Sequence, residues 1–283
     1  MLLTINLTER TLYEVNNKFY EELDDGLIRH KFSHLDIVFD PQWKRIGVNL
    51  SGGADSALLT FMLCEIISLH KLETKIDVIT YQRCWETRPW QGYVSVQVFK
   101  KIKAMYPNII DNRITTYIPP ELEHGVIGPI INGRSGDQII VGSFNKFALW
   151  NYNLDAVFNA TSKNPDDTRS DRMKNRDKDA EDGELEDLWV ERKGRVQAHP
   201  FRFVKKDWIV AQYFLYKIED LYYTTRSCEG DIEQHNIIKE ACNHYTKYVD
   251  GMDIPECGQC WWCEERNWAE DRLEQMLQEI ENG

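Results

Sequence analysis

A short apolar run, Ile46-Gly47-Val48-Asn49-Leu50, is broken by Ser51-Gly52-Gly53 and followed by a second apolar segment, Ser56–Leu69. The first run has the length of a strand and the second has the length of a helix, so the chain must pass from strand to helix through a glycine loop. Such a junction presents free backbone N–H groups and the positive end of a helix dipole to an anion. Two glycines let the backbone approach phosphate oxygens with no Cβ in the way. Hydroxyls on Ser51 and Ser56 can donate further hydrogen bonds, and Asp55 can hold the Mg²⁺ that accompanies a triphosphate. A glycine turn capped by Ser and Asp is the plainer alternative. The complete run Ser51-Gly52-Gly53-Ala54-Asp55-Ser56 in its strand–loop–helix setting points instead to a phosphate site.

The remaining pattern alternates in the same way. Leu12, Val15, Phe19 and Leu23 fall on one face of a short amphipathic helix predicted over Asn6–Leu23. Strands are predicted at Ile76–Thr80, Arg113–Ile118, Ala156–Ala160 and near Leu221–Thr225, with helices over Gln91–Tyr106, Asp137–Tyr152 and Lys206–Lys217. This order predicts an α/β fold, with a parallel sheet covered by helices on both faces. The expected organisation is an N-terminal extension over 1–40, the α/β domain over 41–225 and a C-terminal helical, cysteine-bearing region over 226–283. Trp268, Leu273, Met276, Leu277 and Ile280 predict a final amphipathic helix, packed on the domain or on a second subunit of a homodimer.

Composition narrows the partners. The chain has 283 residues, 42% of them hydrophobic, enough for one large domain or two modest ones. Lys and Arg total 34 against 46 Asp and Glu, a formal charge of -12. An acidic surface repels phosphate backbones, so bulk nucleic-acid binding is not expected. The N-terminal residues lack the pattern of a signal peptide, and nowhere do eighteen apolar residues run together; a soluble, cytoplasmic protein is expected. Between Asp166 and Asp187, 15 of 22 residues are charged, ten acidic and five basic. Such a segment buries too little apolar area to offset ordering entropy and predicts an exposed loop, or a lid that orders over substrate.

Five of the seven cysteines crowd into Cys228–Cys263. Cys257, Cys260 and Cys263, each two residues from the next, suit the tetrahedral thiolate coordination of Zn²⁺. A closed site needs a fourth ligand, Cys228 or Cys242. An Fe–S cluster uses the same donor set.

Ser51–Ser56 resembles the SGGxDS signature of the PP-loop ATP pyrophosphatases, which have an adenine nucleotide alpha-hydrolase-like, Rossmann-type fold. The Gly-Lys-Ser/Thr ending of a Walker-type loop is absent. Thr225-Arg226-Ser227-Cys228, followed by Cys257-Gly258-Gln259-Cys260-Trp261-Trp262-Cys263-Glu264-Glu265-Arg266, is similar to the TxSC…CGxCxxCxxR ending of the 7-cyano-7-deazaguanine synthases. Pro200, Lys206-Asp207-Trp208-Ile209-Val210, Arg134 and Tyr81-Gln82-Arg83 also resemble segments of that family. The family's histidine after the Gln–Arg segment is replaced by Cys84-Trp85, and residues 1–40 have no counterpart.

The resemblance implies Cys228 as the fourth zinc ligand, Lys206 facing the ATP phosphates and Arg134 on the same side of the sheet. It implies adenylation of 7-carboxy-7-deazaguanine, attack by ammonia to give an amide, and a second activation leading to the nitrile of queuosine biosynthesis. No glutaminase segment is evident, so the nitrogen is expected from free ammonia or a partner subunit. A different PP-loop ligase is the alternative, because Asn132–Asp137 resembles asparagine-synthase-like amidotransferases. A thiolation enzyme with Cys84 as sulfur carrier, and a zinc-containing interaction protein that kept the fold, are the others. Packing is the expected role of Trp261 and Trp262, and a structural one that of His124 and His199.

Overall fold

The computed structural model describes residues 20–22, 26–32, 35–82, 90–118, 136–163, 165, 189–228, 256–258 and 260–282. Arg83, Cys84, His124, Arg134, Cys242 and the charged segment 166–187 lie outside them.

The sheet at the centre is built from β4 (Arg45–Asn49), β5 (Lys75–Gln82), β6 (Ile110–Tyr117), β7 (Ala156–Phe158), β8 (Trp189–Arg192) and β9 (Arg195–Ala198). Their order is β6-β5-β4-β7-β9-β8, parallel from β6 to β9 with β8 antiparallel at the edge. A parallel sheet needs cover on both faces, and the side chains divide by the period of two. Ile46, Val48, Ile76, Val78, Ala156 and Phe158 enter one apolar cluster, whereas Ile79, Tyr81 and Val157 enter a second on the opposite face.

The larger cluster is closed by helices α1 (Ala54–Leu69), α2 (Gln91–Met105), α4 (Lys206–Leu215), α5 (Glu219–Thr224) and α6 (Trp261–Asn282), and the smaller by α3 (Gly136–Asn151). Twelve of the 16 residues of α1 are buried, which makes it an interior helix wedged between the sheet and its outer neighbours. Helix α6 packs on α4, with Trp268, Ala269 and Leu273 buried, so it is held by its own domain. Among the described residues no helix is long and apolar enough to cross a membrane.

Two sequence expectations change, and one element is new. Residues Glu219–Thr224 form a helix where a strand was expected. The buried positions Ile218, Leu221, Tyr222 and Thr225 follow the i, i+3, i+4, i+7 period of a helix, and Glu219 and Asp220 favour its N-terminus. The helix expected over Asn6–Leu23 fails at its described end. There Tyr20–Glu22 is strand β1, paired antiparallel with β2 (Ile28–Phe32), which pairs in turn with β3 (Leu35–Phe39). Leu35, Ile37 and Phe39 alternate into the main core, so the small sheet is anchored to the large one. The β8–β9 hairpin was also unforeseen. It turns at Lys193 and Gly194, both at positive φ (54° and 74°), the geometry of a two-residue hairpin turn.

Two part-buried polar contacts link these layers. At the N-terminal end of β4, the Arg45 guanidinium bonds to Asp77 at 2.7 Å and to Asp111 at 2.7 Å. His30 on β2 meets His70 after α1, Nε2 to Nε2, at 2.8 Å with the rings edge-on. Burial, and then the neighbouring His70, lower the His30 pKa to about 4. An unfolded histidine titrates near 6.5, so between these values the unfolded chain binds the extra proton. Stability is therefore full above pH 6.5 and falls as the pH drops toward 4. Urea midpoints across this window should show the slope, and His30→Gln should flatten it. An unchanged slope in the variant would remove His30 from the account.

Candidate nucleotide site beside a cysteine centre

In an open parallel sheet, ligands bind outside the carboxyl ends of the strands where the order reverses. Here the reversal lies between β4 and β7, since the chain leaves β4 toward β5 on one side while β7 lies on the other. The loop at the end of β4 is Ser51-Gly52-Gly53, so the six-residue run stands at the switch point.

The loop is held open from within. Gly52 has φ +87°, and a Cβ there would meet the Ser95 backbone nitrogen at 2.9 Å, so only glycine fits. Ser56 Oγ donates to the Gly53 carbonyl at 3.0 Å and accepts from the Ser51 N–H at 3.1 Å. The Ser51 and Ser56 hydroxyls lie 3.1 Å apart. These serines brace the loop, a role added to the hydrogen-bond donation expected from the sequence. Gly53 is the N-cap of α1 and supplies no side-chain cap. Tyr213, fully buried, donates from its hydroxyl to the Ala54 carbonyl at 2.5 Å and fixes the first turn.

Asp55, in that first turn, is bonded to the Lys206 ammonium and accepts from Ser162 Oγ at 3.2 Å. The lysine begins α4, its side chain only 5% exposed, and a second carboxylate, Glu265, lies 3.6 Å from its Nζ. The structure therefore joins Asp55 and Lys206, predicted separately, into one ion group beside the glycine loop. Arg134 lies outside the described residues.

The cysteine centre adjoins the same loop. Arg226 donates its backbone N–H to the Gly52 carbonyl at 2.9 Å, and a Cβ on Gly53 would meet Ser227 Oγ at 2.6 Å. The next residue is Cys228. Its sulfur and those of Cys257, Cys260 and Cys263 all lie within 4.8 Å of one another. Cys228 follows α5 and not a core strand, so the centre ties the α6 start to the loop through residues 225–228. Crowding among the thiols, chiefly the hydrogen bond from Cys260, raises the Cys228 pKa to about 12, and contacts with Cys228 and Cys260 raise Cys263 as well.

The tryptophans of the cysteine motif pack against the core, their rings edge-to-face at 4.7 Å. Cys64 is fully buried in α1, with its thiol pKa raised by desolvation, as befits a packing residue.

Two groups of residues escaped the sequence reading. Glu265 was legible only as one letter of the cysteine motif; its two-residue offset from Cys263 was the available signal. Asn49, Tyr81 and Asn159, at the ends of β4, β5 and β7, form a hydrogen-bonded cluster with Asn145 of α3, from segments far apart in sequence, and nothing local announces it.

No protein-family model matches the chain, and no curated protein does. Among solved structures, the U34-tRNA thiolase NcsA from Methanococcus maripaludis with its [4Fe-4S] cluster aligns at a TM-score of 0.42 and 12% identity, over 83% of this chain and 72% of that one.

Proposed function

We propose that this chain is an ATP-using enzyme of the PP-loop type that adenylates a carboxylate, namely that of 7-carboxy-7-deazaguanine, and delivers the acyl group to ammonia. The observation that carries this reading is the glycine loop at the switch point, with an uncapped helix start and the Asp55–Lys206 pair beside it. Backbone N–H groups at such a helix start favour the β and γ phosphates. Lys206 would neutralise charge that grows on the departing pyrophosphate. Asp55 is the carboxylate that would hold Mg²⁺ with the triphosphate.

In the first step a substrate carboxylate oxygen forms a bond to the α phosphorus, and the α–β phosphoanhydride bond breaks with its electron pair leaving on pyrophosphate. Ammonia then attacks the acyl carbon, AMP departs, and the amide is the product. A carboxylate oxygen is a poor leaving group and AMP a good one, which is the reason for spending ATP. A second activation of the amide oxygen would lead to the nitrile.

The four sulfurs fit one Zn²⁺. Thiolates at about 2.3 Å from a tetrahedral ion lie about 3.8 Å apart, and Cys260 Sγ is 3.6 Å from Cys263 and 4.0 Å from Cys228. Sulfurs that converge so closely suit a single ion better than a cluster in which each thiolate binds its own iron. Zinc there would supply a fold-stabilising crosslink with no open position for substrate.

The test is mass spectrometry of products from ATP, Mg²⁺, ammonium and 7-carboxy-7-deazaguanine. The expected product is the amide or the nitrile. An unchanged acid, with AMP formed in a parallel assay on a different carboxylate, would overturn the substrate; a thiolated product in a parallel assay supplied with sulfide would replace the ligase reading by a thiolation enzyme.

A further inference from the structure

The Lys206 ammonium has two carboxylate neighbours, and they differ in setting. Asp55 is 20% exposed and stands at the loop mouth, whereas Glu265 is 1% exposed and approaches from the protein interior. We propose that Glu265 is a positioning residue that holds Lys206 toward the leaving pyrophosphate, so that the cysteine centre sets the geometry of the nucleotide site. The inference rests on the ATP-cleaving reading above.

When a nucleotide enters, Asp55 is the carboxylate drawn toward the incoming Mg²⁺. An ammonium as buried as that of Lys206 then needs another counter-charge, because an unpaired buried ion is strongly destabilising. Glu265 supplies it from behind. Lys206 sits on the first turn of α4 with four methylenes of freedom; a fixed carboxylate limits the directions its Nζ can take.

Glu265 is in turn fixed by the cysteine centre. It lies two residues after Cys263, in the first turns of α6, and the adjoining Arg266 is locked by several contacts. Its guanidinium bonds to the Thr225 carbonyl at 3.0 Å, to Glu256 at 3.1 Å and to Glu270 at 3.2 Å, and lies 4.1 Å from the Tyr222 ring centre. Residues Ala54, Lys206, Ser227, Cys228, Cys263 and Glu265 line one small cavity, so loop, lysine and cysteines share a wall. A shift of the α6 start would therefore move Glu265 and, with it, the lysine. A metal held by the four cysteines would take no part in the bond changes; it would fix the α6 start that carries this carboxylate.

The test uses the full-length, metal-loaded protein with Glu265→Gln and Glu265→Asp, neither of which removes a thiolate. Pyrophosphate release, KM for ATP, metal content and thermal midpoint are measured for each. For Glu265→Gln the expected result is a kcat lower by about 10–100-fold, a KM for ATP within about threefold, and full metal content. Glu265→Asp, shorter by one methylene but charged, should recover part of kcat. The proposal is overturned if Glu265→Gln keeps kcat within twofold of the parent, or if its loss of kcat follows metal loss in proportion. It is also overturned if Asp restores nothing that Gln lacks. A parent enzyme that releases no pyrophosphate would sink the proposed function itself, an outcome visible before any variant is made.

Discussion

Replacing Cys257 by alanine should strip the protein of its metal and lower its stability by on the order of 5 kcal/mol. Cys228, Cys260 and Cys263 are buried in the main core, and Cys257 is the half-buried fourth member of the group. Without it, three crowded thiols remain around a cavity that no side chain fills. The segment from Thr225 to Cys228 would loosen from Gly52, and the α6 start from Cys228. Elemental analysis and the thermal midpoint should fall together, from about one zinc per chain to none. Cys242→Ser is the control and should keep its metal. Equal metal content in Cys257→Ala and the parent would contradict this assignment, and iron with acid-labile sulfide in the parent would replace zinc by a cluster.

Asp55→Asn should leave the fold intact and lower pyrophosphate release by about 100-fold or more. The change keeps side-chain volume and leaves Lys206 with Glu265 as counter-charge, so the core is not disturbed. What is lost is the charge of the Asp55 carboxylate beside the loop. Ser162 can still hydrogen-bond an amide at that position, which keeps the first turn of α1 in place. Pre-steady-state pyrophosphate release at saturating Mg²⁺ is the measurement, with circular dichroism as the check on folding. Equal rates for variant and parent would remove Asp55 from the nucleotide site.

The parts of this site that were legible in the sequence are those whose chemistry is local. Ser51–Ser56 declares itself because a strand, two glycines and a helix follow one another without a gap. The Cys257–Cys263 spacing declares itself for the same reason. Lys206 was singled out only through a resemblance, and its pairing with Asp55, 151 residues away, was not legible at all. Glu265 and the Asn49–Asn159 contact were not legible, since each is created only when distant segments dock. Among the elements, α5 was misread because a six-residue segment with two adjacent tyrosines satisfies a strand pattern as readily as a short helix; the buried face, set by tertiary packing, decided for the helix. The β8–β9 hairpin was missed because it follows directly on a charged stretch that dominates its local composition.

The central claim is that the loop at the end of β4 cleaves ATP between the α and β phosphates. Phosphorus NMR of ATP incubated with the metal-loaded protein, Mg²⁺, ammonium and 7-carboxy-7-deazaguanine tests it directly. The account predicts AMP and pyrophosphate in equal amounts, growing with time and absent when the carboxylate is omitted. ADP with inorganic phosphate, or ATP left intact under these conditions, would contradict it.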